Sequence, residues 1–191
     1  VFTFGTFNRM DKLGAPTYDL WAAILTAVPT ARLLIKTPEM DRPERKAPFI
    51  EALVSRGIAP GRLECRGKTV HFDHLAHYRD VDLALDPTPH GGGVTALEAL
   101  WMGVPVLTKT GTWIPGRLAT SFLMALGLAR DFAADTDQGV VELAVKWAAQ
   151  PQALAALRQG LRQRLQASPL ADVAGYTRDV ERCYRAMWRA W

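Results

Sequence analysis

The chain has 191 residues, of which 49% are hydrophobic and 22% are charged, and its formal net charge at pH 7 is +4. This length and composition predict one medium-sized globular domain and exclude an intrinsically disordered chain. The mildly basic charge suits a small anionic ligand, whereas nucleic-acid binding is not expected because no basic stripe with interleaved aromatic residues occurs. No run of about 18 apolar residues is present, so we expect no membrane-spanning segment.

The cysteines and the N-terminus bear on the cellular compartment. Cys65 and Cys183 lie far apart and lack the spacing of a metal site, so we expect reduced thiols. The N-terminus has no basic region followed by an apolar one, as a secretion signal would. These features favour a cytoplasmic location. Because the chain begins with Val1, inside a strand-like run, rather than with Met, we expect it to be a fragment of a longer protein.

Strand-like and helix-like segments alternate along the chain. The strands are predicted at residues 1–7, 31–36, 63–66, 80–85 and 104–108. The helices are predicted at residues 17–27, 43–56, 71–78, 117–126, 136–149, 151–166 and 171–191, with one more short helix before the last strand. This alternation predicts an α/β fold with a doubly wound parallel sheet, right-handed crossovers and C-terminal helices.

Two of the predicted helices carry apolar residues at the spacing of a buried face. Thr17 is a candidate cap for the first of them. The residues expected to face inward are Leu20, Ile24 and Val28 in the first helix, with Trp21 beside them, and Phe49, Ile50, Leu53 and Val54 in the second.

The chain is organised around Gly91-Gly92-Gly93, which lies between a buried strand and a short helix. Such glycines permit backbone angles that a side chain forbids, and they let the backbone approach a ligand closely. The free N–H groups and the dipole of the following helix suit a phosphate, with Thr95 on its first turn and Glu98 on the same face. We therefore predict a nucleotide site here. A plain turn is the alternative, since glycine runs in loops usually form only a turn. The spacing matches neither GxGxxG nor GxxxxGK(S/T), so a nicotinamide site is not supported and a P-loop is excluded.

Residues 8–16 form a predicted polar loop after the first strand. Ligands bind at the carboxyl edge of open α/β sheets, and this loop is expected at that edge. Lys12 is the candidate cation for a diphosphate there. A solvated loop lysine is the alternative interpretation.

Three histidines, His71, His74 and His77, recur every three residues on one short predicted helix. The outer pair is two turns apart and rotated off a common face, so the helix is poorly suited to a three-ligand zinc site. We predict no metal site. The alternatives are incidental surface histidines or one ring that stacks on a base.

The last predicted helix carries an apolar stripe. Tyr176, Val180, Cys183 and Met187 recur at helical spacing, with Tyr184, Trp188 and Trp191 nearby. Such a stripe is typical of a core face or of a docking surface for a neighbouring domain.

Several segments together resemble one family of enzymes. They are Phe4–Lys12 (FGTFNRMDK), His90–Val106 (HGGGVTALEALWMGVPV), Arg117–Ser121 (RLATS), Ser168–Leu170 (SPL) and Tyr184–Trp188 (YRAMW). The order of these pieces resembles the O-linked N-acetylglucosaminyltransferases and the plant Spindly-type O-fucosyltransferases over nearly the whole chain. The resemblance implies that residues 1–191 are the C-terminal, Rossmann-like half of a two-domain GT-B glycosyltransferase. The N-terminal catalytic half and the TPR repeats of the family would then be absent.

The resemblance also implies roles for individual residues. Lys12 looks like the family's lysine that meets the donor diphosphate and steadies the leaving group, and it is the catalytic candidate. The residues that look like donor-binding ones are His71, His74, His90, Gly91, Gly92, Gly93, Val94, Thr95 and Glu98. Among them, His74 corresponds to a ring near the uracil, Gly93 to Thr95 form the phosphate turn, and Glu98 lies on the ribose.

The activity implied is an inverting transfer of N-acetylglucosamine from UDP-N-acetylglucosamine to protein hydroxyls, without a metal or another cofactor. The expected partners are the nucleotide-sugar donor, a protein or peptide acceptor and the missing N-terminal half, which in this family largely builds the acceptor side. This piece alone is expected to be inactive. Two alternatives are a GDP-fucose-dependent O-fucosyltransferase and a non-catalytic interaction domain, and the lack of a hydroxyl at Val94 favours the latter slightly.

Overall fold

The structure is a computed structural model that describes all residues from Val1 to Trp191. The strands are β1 (Thr3–Thr6), β2 (Arg32–Lys36), β3 (Leu63–Arg66), β4 (Leu83–Leu85), β5 (Val106–Lys109) and β6 (Ala133–Ala134). The helices are α1 (Ala15–Ala27), α2 (Pro43–Val54), α3 (His71–Ala76), α4 (Val94–Trp101), α5 (Leu118–Ala125), α6 (Ala129–Phe132), α7 (Asp137–Ala148), α8 (Pro151–Gln166) and α9 (Val173–Ala190).

The six strands form one sheet in the order β3-β2-β1-β4-β5-β6, and every neighbouring pair is parallel. Phe4 in the central strand β1 pairs with Leu33 on one side and with Leu83 on the other. The chain runs outward from β1 to β3, then returns to the centre for β4 and runs outward again. This order confirms the predicted parallel α/β fold, and it creates a topological switch point between β1 and β4, where such sheets bind ligands.

The core lies between the sheet and the helices that cover it. Leu33, Leu34 and Ile35 of strand β2 are fully buried, as strands covered on both faces require. Helix α1 packs against α2 and α7, and α4 packs against α5 and α8. The predicted inward face of α1, namely Leu20, Trp21, Ile24 and Val28, is buried, which confirms that prediction. Val54 is 38% exposed, so the inward orientation predicted for it is wrong; the core there is filled by Phe49 and Leu53.

The predicted helix cap at Thr17 is also wrong. Helix α1 starts two residues earlier, with Gly14 as its N-cap and Pro16 in its first turn, where the missing N–H of proline is tolerated. Thr17 is buried instead; its hydroxyl donates to the Thr88 carbonyl at 2.7 Å and accepts from the Thr88 N–H at 3.2 Å. This side chain therefore anchors the loop that follows β4.

Two short elements were missed by the sequence patterns, α6 and the strand β6. Strand β6 has two alanines, which carry no strand preference, and only its place beside β5 makes it a strand.

Helix α9 contributes no buried residue. Trp188 is 75% exposed, and the other large side chains of the predicted apolar stripe are also exposed or partly exposed. The interpretation of this stripe as a core face is therefore wrong for this chain. None of the helices combines the length and the apolar character that crossing a lipid bilayer requires.

Candidate functional site

Two loops meet at the switch point of the sheet. The chain after β1 makes one 3-10 turn at Met10–Lys12, and the chain after β4 forms the glycine loop that leads into α4. The Lys12 Nζ donates to the Gly91 carbonyl oxygen at 2.9 Å, although the two residues are 79 positions apart. The structure thus brings the candidate cation into direct contact with the glycine loop.

Gly91 and Gly92 are needed in this loop because a side chain at either position would clash with its neighbours. A Cβ atom on Gly91 would lie 2.6 Å from Asp86 Oδ2, and one on Gly92 would lie 2.6 Å from Thr95 Oγ1. Neither residue, nor Gly93, has a positive φ, so the loop does not use the left-handed conformation that glycine permits. At Gly91 and Gly92 the loop instead lies so close to the polar side chains of Asp86 and Thr95 that there is no room for a larger residue.

Three consecutive backbone amides, those of Gly93, Val94 and Thr95, donate no hydrogen bond in the structure. We call them the amide cradle. They form the N-terminus of the eight-residue helix α4, where the helix dipole places partial positive charge. The Val94 side chain beside them is 71% exposed. This arrangement suits a phosphate group.

The hydroxyl of Thr95 is already engaged inside the protein. It donates to Asn8 Oδ1 at 2.9 Å, and the Asn8 side-chain amide donates to Thr6 Oγ1 at 3.3 Å. These bonds tie the first turn of α4 to the end of β1. The free donor that Thr95 offers to a ligand is its backbone amide.

Glu98 lies one turn beyond the amide cradle and lines a groove of about 280 Å³. Its other lining residues are His71, Leu75, Val94, Leu97, Trp101, Leu165 and Leu170. Burial raises the pKa of Glu98, and the neighbouring charge of His71 opposes this effect. A larger and more polar depression of about 510 Å³ lies beside the 3-10 turn, near Arg9 and Arg42, and contains no residue of the amide cradle.

The three histidines have separate surroundings. His71 lines the groove, the His74 ring packs edge-on against Phe7 with centroids 5.2 Å apart, and His77 Nδ1 lies 2.6 Å from Arg66. Burial lowers the pKa of His74, helped by the positive charges of Lys36 and the other two histidines, so this ring is neutral at pH 7. No group of three or more His, Cys, Asp or Glu side chains in the chain is arranged to hold a metal ion.

His90 lies on the exposed side of the glycine loop. Its ring meets the edge of Trp113 with centroids 5.7 Å apart, and the Trp113 indole N–H donates to the Pro89 carbonyl at 2.9 Å. These contacts link the glycine loop to the loop after β5.

Asp86, Asn8 and Thr108 were not predicted as site residues. Asp86 is 5% exposed and accepts from the Gly92 N–H at 2.6 Å and from the Thr108 hydroxyl at 2.8 Å. Burial raises its pKa to about 6, against the lowering effects of these two hydrogen bonds and of the Lys12 charge. The sequence signal that could have identified Asp86, Asn8 and Thr108 is their position. Each lies at or just after the carboxyl end of a parallel strand, and these ends share one edge of the sheet.

The strand order and the position of this site define the class of Rossmann-like α/β domains. The profile of "Glycosyl transferase family 41" matches residues 1–180. The chain therefore belongs to glycosyl transferase family 41, which confirms the resemblance seen in the sequence.

Individual relatives agree with this membership. The chain is 35% identical over 188 residues to a probable UDP-N-acetylglucosamine–peptide N-acetylglucosaminyltransferase SPINDLY of Petunia hybrida, covering 98% of this chain and 20% of that protein. It is 30% identical over 190 residues to the UDP-N-acetylglucosamine–peptide N-acetylglucosaminyltransferase of Caenorhabditis elegans, covering 99% of this chain and 16% of that protein. The chain thus spans about a fifth of the length of the curated relatives it matches.

A solved structure shows the same fold. A mutant O-GlcNAc transferase from Thermobaculum terrenum superimposes with a TM-score of 0.92 at 39% identity, covering 99% of this chain and 36% of that one. The predicted fold class, the Rossmann-like half of a GT-B glycosyltransferase, is confirmed by this match.

Proposed function

We propose that this chain is the donor-binding part of an inverting glycosyltransferase that moves N-acetylglucosamine from UDP-N-acetylglucosamine to protein hydroxyls. The observation that carries the proposal is the meeting of Lys12 with the glycine loop beside three free amides. The relatives from Petunia hybrida and Caenorhabditis elegans are named as UDP-N-acetylglucosamine–peptide N-acetylglucosaminyltransferases, which supports this choice of donor and of a peptide acceptor.

The donor is expected to lie along α4. Its diphosphate would rest on the amide cradle, with the Lys12 ammonium on the adjacent loop as its cationic partner. Its nucleoside would follow the groove, in which Glu98 can accept hydrogen bonds from the ribose hydroxyls. The neutral ring of His74 offers a flat face for the base.

The reaction that this arrangement serves is a single displacement. The acceptor hydroxyl oxygen bonds to the anomeric carbon while the bond from that carbon to the β-phosphate oxygen breaks, and its electron pair leaves with UDP. Negative charge grows on the departing diphosphate, so the ammonium group and the amide dipoles stabilise the transition state more than the ground state. The hydroxyl proton passes to a base that we place outside this chain.

We infer that the reaction needs no metal or other cofactor, because Lys12 and the amide cradle supply the positive charge that a diphosphate requires. We also place the protein in the cytoplasm, since Cys65 and Cys183 are unpaired. The partners that complete the enzyme are an N-terminal catalytic half and a protein or peptide acceptor.

Titration calorimetry with UDP and GDP in the presence of EDTA tests the donor site. We expect UDP to bind and the Lys12→Ala variant to bind it about tenfold or more weakly, because a charge-assisted hydrogen bond to phosphate is lost. Lys146→Ala is the matched control, since Lys146 lies on α7, pairs with Asp131 and takes no part in the cradle.

The possible outcomes separate the alternatives. Binding of GDP in preference to UDP would assign a guanine nucleotide donor instead. If neither nucleotide binds, or if Lys12→Ala and Lys146→Ala behave alike, the proposed function is wrong.

A further inference from the structure

One peptide unit of the glycine loop is held from both sides. The carbonyl oxygen of Gly91 accepts from Lys12 Nζ at 2.9 Å, and the N–H of Gly92 donates to Asp86 Oδ1 at 2.6 Å. These two groups belong to the same peptide bond. A cation at the oxygen end and a carboxylate at the N–H end therefore fix its direction, which sets the course of the chain into the amide cradle.

The Asp86 carboxylate is itself firmly placed. Its other oxygen accepts from the hydroxyl of Thr108, on β5, at 2.8 Å, and the residue is 5% exposed. Only hydrogen atoms at the Cα of Gly91 leave room for it, since a Cβ there would lie 2.6 Å from Asp86 Oδ2. The loop thus encloses the Asp86 carboxylate, and burying such a polar group costs free energy. None of the proposed contacts with the donor gives this carboxylate a role.

Lys12 cannot hold the loop and bind a diphosphate with the same hydrogen. The ammonium has three N–H donors, so one can stay on the Gly91 carbonyl while the others meet a phosphate, and the peptide then shares its cation with the donor. The bond from Gly92 to Asp86 does not involve a group that the donor needs. It can keep the peptide in place throughout.

We propose that Asp86 is a positioning residue that clamps the Gly91–Gly92 peptide, so that the amide cradle keeps its shape when the donor binds. This inference rests on the proposed function for its consequence in binding, but the clamp itself can be measured without a ligand. Asp86 acts through the backbone of the loop, and we assign it no contact with the donor.

The test compares three substitutions in the intact protein. Asp86→Ala removes the acceptor, whereas Asp86→Asn keeps an acceptor oxygen for the Gly92 N–H and removes the charge. Thr108→Val removes the hydroxyl that orients the carboxylate, with Thr108→Ser as its control. This pair remains informative if Asp86→Ala fails to fold.

The first measurement is amide hydrogen exchange of Gly92 without ligand. We expect protection in the wild type, Asp86→Asn and Thr108→Ser, with exchange about tenfold faster or more in Asp86→Ala and an intermediate rate in Thr108→Val. The clamp is overturned if Gly92 exchanges at the wild-type rate in both Asp86→Ala and Thr108→Val. If Asp86→Ala is unfolded, a wild-type rate in Thr108→Val alone overturns it. This result does not depend on the identity of the donor.

The second measurement is the affinity for UDP-N-acetylglucosamine. We expect Asp86→Ala to bind about tenfold or more weakly, Thr108→Val severalfold more weakly and Asp86→Asn within about threefold of the wild type. If Asp86→Asn is as weak as Asp86→Ala, or if Asp86→Ala binds like the wild type, the positioning role is wrong. If the wild type binds no nucleotide while Gly92 exchange behaves as expected, the proposed function fails and the clamp stands.

Discussion

At the scale of single residues, the candidate site brings an ammonium group, a buried carboxylate and free amides together around one glycine loop. Lys12 and Asp86 influence each other's ionisation, since the charge of Asp86 raises the pKa of Lys12 and the charge of Lys12 lowers that of Asp86. For both groups, burial is the larger effect and favours the neutral form. Such a pair is costly for stability, which is typical of functional sites.

The cost should be visible in the pH dependence of stability. Burial raises the pKa of Asp86 from 3.8 to about 6, so the folded state keeps this proton where the unfolded chain has lost it. The free energy of unfolding that this group contributes is therefore present below pH 4 and is lost as pH rises from about 4 to 6. Lys12 is the charged neighbour that faces Asp86 and stays protonated in this range.

Asp86→Asn should remove this loss. We expect the unfolding free energy of the variant minus that of the wild type to grow by up to about 3 kcal/mol as the pH rises from 4 to 7, because the pKa of Asp86 is shifted by about two units. Urea denaturation of both proteins at a series of pH values measures this difference. A constant difference across the series would contradict the raised pKa of Asp86.

A matched pair of glycines tests the packing of the loop. A Cβ on Gly92 would meet Thr95 Oγ1 at 2.6 Å and Asp86 Oδ1 at 3.0 Å, whereas one on Gly93 would meet only Leu118 at 3.6 Å. We expect Gly92→Ala to lower the unfolding free energy by about 1–3 kcal/mol and Gly93→Ala by about 1 kcal/mol or less. Chemical denaturation compares the two variants, and equal losses would show that the crowding at Gly92 is relieved at little cost.

At the scale of elements, helix α9 differs from the other long helices. Its charged face carries Arg178, Arg182, Arg185 and Arg189, while Tyr176, Tyr184, Met187 and Trp188 are exposed on the remaining surface. Since none of its residues is buried, α9 adds little to the stability of the domain. Of the two interpretations that the sequence left open, a docking surface stays a prediction.

Deleting residues 173–191 should therefore leave the core intact. We expect the unfolding free energy to change by about 1 kcal/mol or less, because the deletion uncovers almost no apolar surface. Deleting residues 151–191 is the contrasting variant; it also removes buried Leu154, Leu161 and Leu165 of α8 and should cost several kcal/mol. Thermal and urea unfolding of both truncations decide the matter, and a strongly destabilised first truncation would contradict the exposed position of α9.

At the scale of the whole molecule, the groups that the proposed function assigns to donor binding lie together at one edge of the sheet. It offers no residue that we assign as the base for the acceptor hydroxyl, and the chain spans about a fifth of the length of its curated relatives.

We therefore expect the 191-residue chain to bind UDP-N-acetylglucosamine but to transfer no sugar to a peptide. Mass spectrometry of acceptor peptides, incubated with donor and chain in the presence of EDTA, measures the transfer. The full-length protein is the positive control, and it should be active under the same conditions if no metal takes part. Transfer by the chain alone would show that the acceptor base lies within residues 1–191.

The sequence by itself determined the class of fold, the approximate position of the larger elements and the segment that holds the candidate site. These follow from local causes: apolar periodicity, prolines and glycines that end elements, and short motifs such as the one from His90 to Val106. The sequence did not distinguish the core from the surface in α9, and it missed β6, since both depend on what lies beside the segment in space.

Only the tertiary structure decided which polar residues meet. Lys12 and Gly91 are 79 positions apart, Thr95 and Asn8 are 87 apart, and Asp86 and Thr108 are 22 apart. They come together because the sheet places β4 between β1 and β5, so that the ends of strands distant in sequence lie side by side. No local pattern encodes a hydrogen bond of this kind, because its partners are chosen by strand order.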